Sequence, residues 1–208
     1  PEILRADHSG LRLFLVPKRT APERREDVEA QWKVCAPDAV RPFSAVAYYF
    51  GLELHKRLGV PVGMISSAWG GTLIEPWTPP AGYAAVPELA PILDKHLARY
   101  AEYRDKLAKS LPVIDSWTKD ARKALAAKAV PPAKPAVEPA EDPWATPQAP
   151  TALYNGMIHA LTPFAIRGAI WYQGESNRND GLFYEKKMEA LIRGWRKVCK
   201  LGDFPFYY

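Results

Sequence analysis

The sequence predicts an α/β chain of the three-layer α/β/α kind, with helices on both faces of a parallel sheet. Short apolar runs alternate with helical patterns along its 208 residues. Two of those runs, residues 61–66 and 164–171, stop abruptly at glycine-containing polar clusters. Buried parallel strands look like this where they deliver side chains to the rim of a sheet. A helical pattern leads into the first of these strands, and a helix that joins two strands is expected to cross over right-handed.

In chain order, Leu11-Arg12-Leu13-Phe14-Leu15-Val16 alternates and then meets Pro17, the pattern of a strand. Residues 18–42 are polar and carry three prolines, so they read as a loop around a short segment at 30–34. Ser44 is placed to cap the next helix, with Phe43 and Tyr48 at the staple positions and Gly59 at its end. Val46, Phe50, Leu54 and Leu58 follow at helical spacing and are the expected buried face.

An insertion is expected at 80–150. Its first part, 88–129, reads as a helical hairpin, with Leu89, Ile92, Leu93, Leu97, Tyr100, Leu107 and Leu111 on one stripe. Pro112 breaks the pattern, and Trp117, Ala121, Ala124 and Leu125 begin a second stripe. Its second part, 131–150, carries seven prolines and reads as an extended linker without helix or strand, lying outside the sheet. The strand at 164–171 follows. A final helix, with Asp180 as its expected cap, presents Tyr184, Met188, Leu191, Trp195 and Val198, and Gly202 ends it. Phe204-Pro205-Phe206-Tyr207-Tyr208 reads as a strand cut off in the middle, and the chain does not begin with Met.

Composition bounds the function. An apolar fraction of 48% and seven Trp fit a folded chain. No run approaches the roughly 20 apolar residues of a membrane span. The net charge is +5, and four of those five excess charges fall in 88–134, where ten Lys or Arg face six Asp or Glu. With no aromatic-basic interleaving, that excess reads as a solvated helical face and no nucleic-acid partner is expected. Cys35 and Cys199 form no metal-ligand spacing and read as ordinary thiols that could pair only if the fold brings them together. No metal and no cofactor is expected.

The chemistry gathers at the two strand ends. Ligands of open α/β sheets bind at the carboxyl ends of strands. Ser67-Ala68-Trp69-Gly70-Gly71-Thr72 turns tightly through two glycines and exposes backbone N–H donors. Trp171-Tyr172-Gln173-Gly174-Glu175-Ser176-Asn177 offers Gln173, Glu175 and Asn177. The N–H groups of Gly70 and Gly71, with the amide of Gln173, could hold the oxyanion of an acyl-transfer intermediate. Trp69, Tyr172, Glu175 and Asn177 are the candidates for substrate contact. Trp77 and Trp171 either stack on a sugar or pack in the core.

These segments resemble the SGNH-type esterases, and among them the sialate O-acetylesterase-like carbohydrate esterases. The resemblance rests on F-S-A-V-A-Y-Y-F-G and S-A-W-G-G-T-L-I-E-P-W within 43–77. It rests equally on L-Y-N-G-M-I-H and A-I-R-G-A-I-W-Y-Q-G-E-S-N within 153–177. It implies a flavodoxin-like domain, truncated at both ends, that removes acetyl groups from sugar hydroxyls. It also implies that Gly70, Gly71 and Gln173 complete the oxyanion hole and that the protein is secreted or periplasmic.

The departures are equally specific. Such enzymes carry a nucleophilic serine in a G-Q-S-N stretch and a catalytic pair in a D-x-x-H stretch, and neither occurs in these residues. A triad assembled from Ser66, Ser67 or Ser176 with His159 would need hydrogen-bond reach that nothing in their spacing supports. The expectation is therefore the middle of an esterase domain, inactive by itself, with nucleophile and base outside this chain. The rival expectations are a glycan-binding module without catalysis, or a piece with no function of its own.

Overall fold

The structure is a computed structural model that describes residues 2–137 and 141–208. Residues 138–140 of the proline-rich tract, and Pro1, lie outside the described residues.

A short helix α1 (Glu2–Arg5) precedes strand β1 (His8–Leu15), which β2 (Trp32–Cys35) joins antiparallel. The sequence leaves 30–34 inside a loop because four residues are too few to show a period. Phe14 and Trp32, whose ring centroids lie 5.2 Å apart, hold the pair together across the strands. One turn, α2 (Pro37–Val40), leads to α3 (Ala45–Leu58) and then β3 (Val62–Ser66), which lies parallel to β1 with Leu11 opposite Val62 and Leu15 opposite Ser66. The caps of α3 are those expected. Ser44 Oγ accepts from the Ala47 N–H at 3.3 Å, and Gly59 sits at φ 64°.

The buried face of α3 differs from the expected one. Ala47, Tyr48, Gly51 and Leu52 face inward, whereas Val46 is 47% and Leu58 62% exposed. Gly51 decides the orientation. A Cβ there would collide with Met64 of β3, so the glycine lets helix and sheet approach closely along this side.

After β3 come α4 (Pro80–Ala85) and α5 (Ala90–Ala126), then a buried helical turn at Tyr154–Ile158, β4 (Ala169–Ile170), α6 (Phe183–Cys199) and β5 (Phe206–Tyr207), which pairs parallel with β4. No hairpin forms at 88–129, because α5 runs unbroken through Pro112. Proline removes one donor, and the carbonyl it would have served, on Ala108, belongs to an exposed residue where water can replace the bond. The described residues of 131–150 form bends and turns, without helix or strand.

Among the described residues the strands form two sheets, β2-β1-β3 and β4-β5, instead of one continuous parallel sheet. Alternate residues of β1, together with Val16, which follows it, feed two cores. Leu11 and Leu13 pack with Tyr48 and Leu52 of α3, while Phe14 and Val16 pack with Ile74, Trp77, Tyr154 and Leu191 of α6. Cys35 is buried and Cys199 half-buried, and both are free thiols.

The helix pair α4–α6 backs the site. Gly82 and Gly194 face each other, and a Cβ at Gly82 would run into the Ala190 carbonyl. Gly82→Ala should therefore cost about 1–3 kcal/mol by overpacking, read as a lower denaturant midpoint. An unchanged midpoint would contradict the close approach.

Candidate active site

Both strand ends deliver their polar residues to one place, and side-chain amides join them. The segment Gly71-Thr72-Leu73 is held along both edges. On one edge Gln173 Nε2 donates to the Thr72 carbonyl at 3.0 Å. On the other, Gln148 Nε2 donates to the Gly71 carbonyl at 2.8 Å and its Oε1 accepts from the Leu73 N–H at 3.0 Å. An extended peptide presents its groups in this alternation. Thr72 also closes the turn, donating to the Trp69 carbonyl at 2.7 Å and accepting from Trp77 Nε1 at 3.0 Å.

Gly70 and Gly71 are exposed, and Gly71 takes φ 78°, a left-handed conformation suited to glycine. Nothing lies within 4 Å of the position a Cβ would occupy on either, so the turn has an open face. Among the described residues neither N–H donates to another protein group. Trp69 is half-buried beside them, with Lys18 Nζ 5.6 Å from its ring centroid. Tyr172 is 81% exposed at the rim, and Glu175 is exposed on the short turn Glu175–Asn177.

Asn177, expected at the substrate, is held within the protein. It is 4% exposed and its amide is fully occupied. Oδ1 accepts from the Ile74 N–H at 2.9 Å and from Gln173 Nε2 at 2.7 Å; Nδ2 donates to Glu75 at 3.1 Å and to Asp180 at 2.7 Å. Asparagine has no further donor to give a ligand. Gln173 is likewise committed: both Nε2 hydrogens are used, and its Oε1 accepts from Tyr184 Oη at 2.8 Å. Its amide lies at the glycine turn and binds the turn's own carbonyl, on Thr72.

Beneath Asn177 lies a buried ionic cluster that sequence reasoning missed. Lys187 Nζ, on a residue 6% exposed, reaches Glu75 at 2.5 Å and Asp180 at 2.6 Å. Burial by itself would lower the Lys187 pKa, but hydrogen bonds to Asp180 and Glu75 and their charges raise it above its ordinary value. Burial would raise Asp180; hydrogen bonds from Lys187 and Asn177, with the lysine charge, hold it below the usual carboxylate range. Burial raises Tyr184, which stays protonated and able to donate. The helix at 183–199 begins after Leu182, so Asp180 is not its cap. A signal for the cluster does exist, because Asp180, Tyr184, Lys187 and Leu191 are spaced to share one helical face.

Trp171 is half-buried and packs against the core, edge-on to Trp77 at 6.2 Å and Trp195 at 6.3 Å, with its Nε1 donating to Tyr184. The Y-N-G-M-I-H stretch is scaffolding too. Asn155 Nδ2 donates to the Ala21 and Pro22 carbonyls, and Gly156 lies against the Arg19 carbonyl, which fixes the loop that carries Lys18. His159 Nδ1 lies 3.0 Å from Tyr154 Oη and its Nε2 3.5 Å from Glu26, while Ser67 Oγ donates to the Met157 carbonyl. Among the described residues no serine hydroxyl meets a histidine ring. None of their His, Cys, Asp and Glu side chains gather in threes to hold a metal ion. Among the described residues no helix is long and apolar enough to cross a membrane.

Comparison with known proteins places similar sequences around this geometry. Residues 117–208 match the family model for carbohydrate esterase, sialic acid-specific acetylesterase. The chain is 31% identical to the sialate O-acetylesterase of Rattus norvegicus, covering 95% of this chain and 35% of that protein. It is 28% identical to the human sialate O-acetylesterase, covering 97% and 33%. The crystal structure of a carbohydrate acetylesterase from Xanthomonas citri superposes with a TM-score of 0.66 at 28% identity, over 99% of this chain and 34% of that one. The chain thus spans about a third of the length of the relatives it matches.

Proposed function

The chain belongs to the sialate O-acetylesterase-like family of carbohydrate esterases, SGNH-type hydrolases, and on that premise we propose that its site stabilises the oxyanion formed when an O-acetyl group is hydrolysed from a sugar. The observation that carries the reading is the Gly70-Gly71 turn, its N–H groups uncommitted and its outer face open, clamped at the end of β3. Two adjacent peptide donors held rigid before the reaction need no reorganisation as negative charge develops.

Gln173 supplies the third donor in this proposal. Its bond to the Thr72 carbonyl is between neutral groups, whereas one to an oxyanion is charge-assisted and about twice as strong. The amide exchanges one for the other as the intermediate forms, while Tyr184 and Asn177 keep it aimed at the turn. Trp69, which precedes the two glycines, and the exposed Tyr172 and Glu175, which flank Gln173 in the chain, are the sugar contacts in this proposal. The nucleophilic serine and its histidine and acid partners come from outside these 208 residues. The complete domain has a flavodoxin-like sheet. In support, β1 and β3 are parallel, as are β4 and β5, and Met64 with Ile170, and Ile65 with Trp171, pack into shared cores.

The 208-residue chain alone is expected to hydrolyse no acetyl ester above background, while the full-length protein deacetylates O-acetylated sugars. Turnover of an aryl acetate by the chain alone, abolished by Ser176→Ala or Ser67→Ala, would show that it holds its own nucleophile.

A further inference from the structure

On the functional reading above, we propose that Gln148 is a positioning residue for the reaction: it fixes the oxyanion-binding turn from the side opposite Gln173. The residue lies in the proline-rich tract, outside every motif of the site, and comes within hydrogen-bond reach of the turn at both ends of its amide. The two contacts are complementary. Nε2 donates to the Gly71 carbonyl and Oε1 accepts from the Leu73 N–H, so the side chain reads the turn as a neighbouring strand would.

The consequence is geometric. The Gly71 carbonyl carbon belongs to the peptide unit that follows the Gly70–Gly71 donors. By holding that unit, Gln148 fixes the chain on the C-terminal side of the donors, so the Gly71 N–H can swing only through φ of Gly71 and the torsions before it. Gly71 at φ 78° has no side chain to resist the swing itself. Gln148 is held in turn by its own segment. Its N–H donates to Thr146 Oγ1, and Trp144, four residues earlier, is buried edge-on against His96 of α5 with ring centroids 4.2 Å apart. The insertion, which carries no catalytic motif, thereby braces the donor turn.

Two variants of the full-length enzyme test this. Gln148→Met keeps length and removes both hydrogen bonds. The expected result is a kcat lower by about tenfold with KM within about twofold, because a small misplacement of donors acts on the transition state. Amide exchange at Leu73 should accelerate by about tenfold as its acceptor is lost. Gln148→Glu is the finer probe. Its ionised carboxylate accepts from Leu73 but cannot donate to Gly71, whereas the protonated acid restores both roles. The Thr72 amide nitrogen, which shares its peptide unit with the Gly71 carbonyl, should return toward its wild-type NMR shift as pH falls through about 4.3.

Unchanged kcat in Gln148→Met overturns the positioning role, whether or not Leu73 exchange changes. A parallel collapse of kcat, KM and melting temperature overturns it as well, by showing a general loss of fold. A wild-type full-length protein without acetylesterase activity defeats the functional reading itself, a result distinct from an active enzyme indifferent to residue 148.

Discussion

Lys187→Met should destabilise the fold by about 3 kcal/mol, the largest stability effect expected of a single side chain near the site. Removing one partner of a buried ion pair leaves the other charge unpaired, at a cost of about 3–5 kcal/mol. The lower figure applies because Asp180 retains some contact with water. Glu75 has less, and it would lose the ammonium at 2.5 Å. Asn177 would also lose the fixed acceptors for its Nδ2, and with them its hold on Gln173. Equilibrium denaturation of wild type and variant gives the difference directly, and a loss below about 1 kcal/mol would refute the assignment.

The same cluster sets a pH signature. Asp180 has a lowered pKa when folded, so its contribution is present above its unfolded value near 3.9 and disappears as pH falls through the folded one. Lys187 has a raised pKa, so its contribution is complete below its unfolded value near 10.4 and disappears as pH rises through the folded one. Stability from this pair is therefore flat between roughly pH 5 and 9, and the acid-side loss tied to Asp180 should shrink in Lys187→Met.

Gln173→Ala should lower kcat of the complete enzyme by about 10²-fold with a smaller change in KM, since the donor acts on the developing oxyanion and not on the ground-state ester. The hydrogen bonds around it add a second component. The alanine variant frees the Thr72 carbonyl, at about 1 kcal/mol of stability. Gln173→Glu should be at least as harmful, because an ionised carboxylate cannot donate and would face both Asn177 Oδ1 and the Thr72 carbonyl. Tyr184→Phe isolates orientation: it removes the hydroxyl that donates to Gln173 Oε1 and leaves both amide hydrogens, so its kcat should fall less. Near-normal kcat in Gln173→Ala would reject the donor role and leave Gln173 as a brace for the turn.

The strands at 11–16 and 61–66, the caps of α3 and the convergence of the two polar strand ends were legible from apolar runs and turn residues. The face of α3 was not. Ala45 to Leu54 is apolar nearly throughout, so several stripes fit the helical period, and only the contact of Gly51 with Met64 selects one. Pro112 misled because the cost of a missing donor depends on whether water reaches the orphaned carbonyl, and composition does not report that. Residue types did not reveal that the hydrogen bonds of Asn177 go to Ile74, Glu75, Gln173 and Asp180, neighbours in space and not in the motif. Gln148 had no local signal at all, since a lone glutamine among prolines gains its meaning from a turn far away in the chain.

That distance has a kinetic side. The bonds that assemble the site join residues 75, 77, 101, 103 and 112 positions apart. The hydrogen bonds of α5, in contrast, close within single helical turns. Local helix forms in about a microsecond, whereas distant contacts must await closure of the long loops between them. The donor turn is thus expected to be among the last parts to mature, after the arm that braces it. In pulse-labelled refolding the Leu73 and Ile74 amides should gain protection after those in the middle of α5; the reverse order would argue against it. A nascent chain would then acquire its architecture first, and the donor geometry proposed for the glycine turn would arrive only with the final closure.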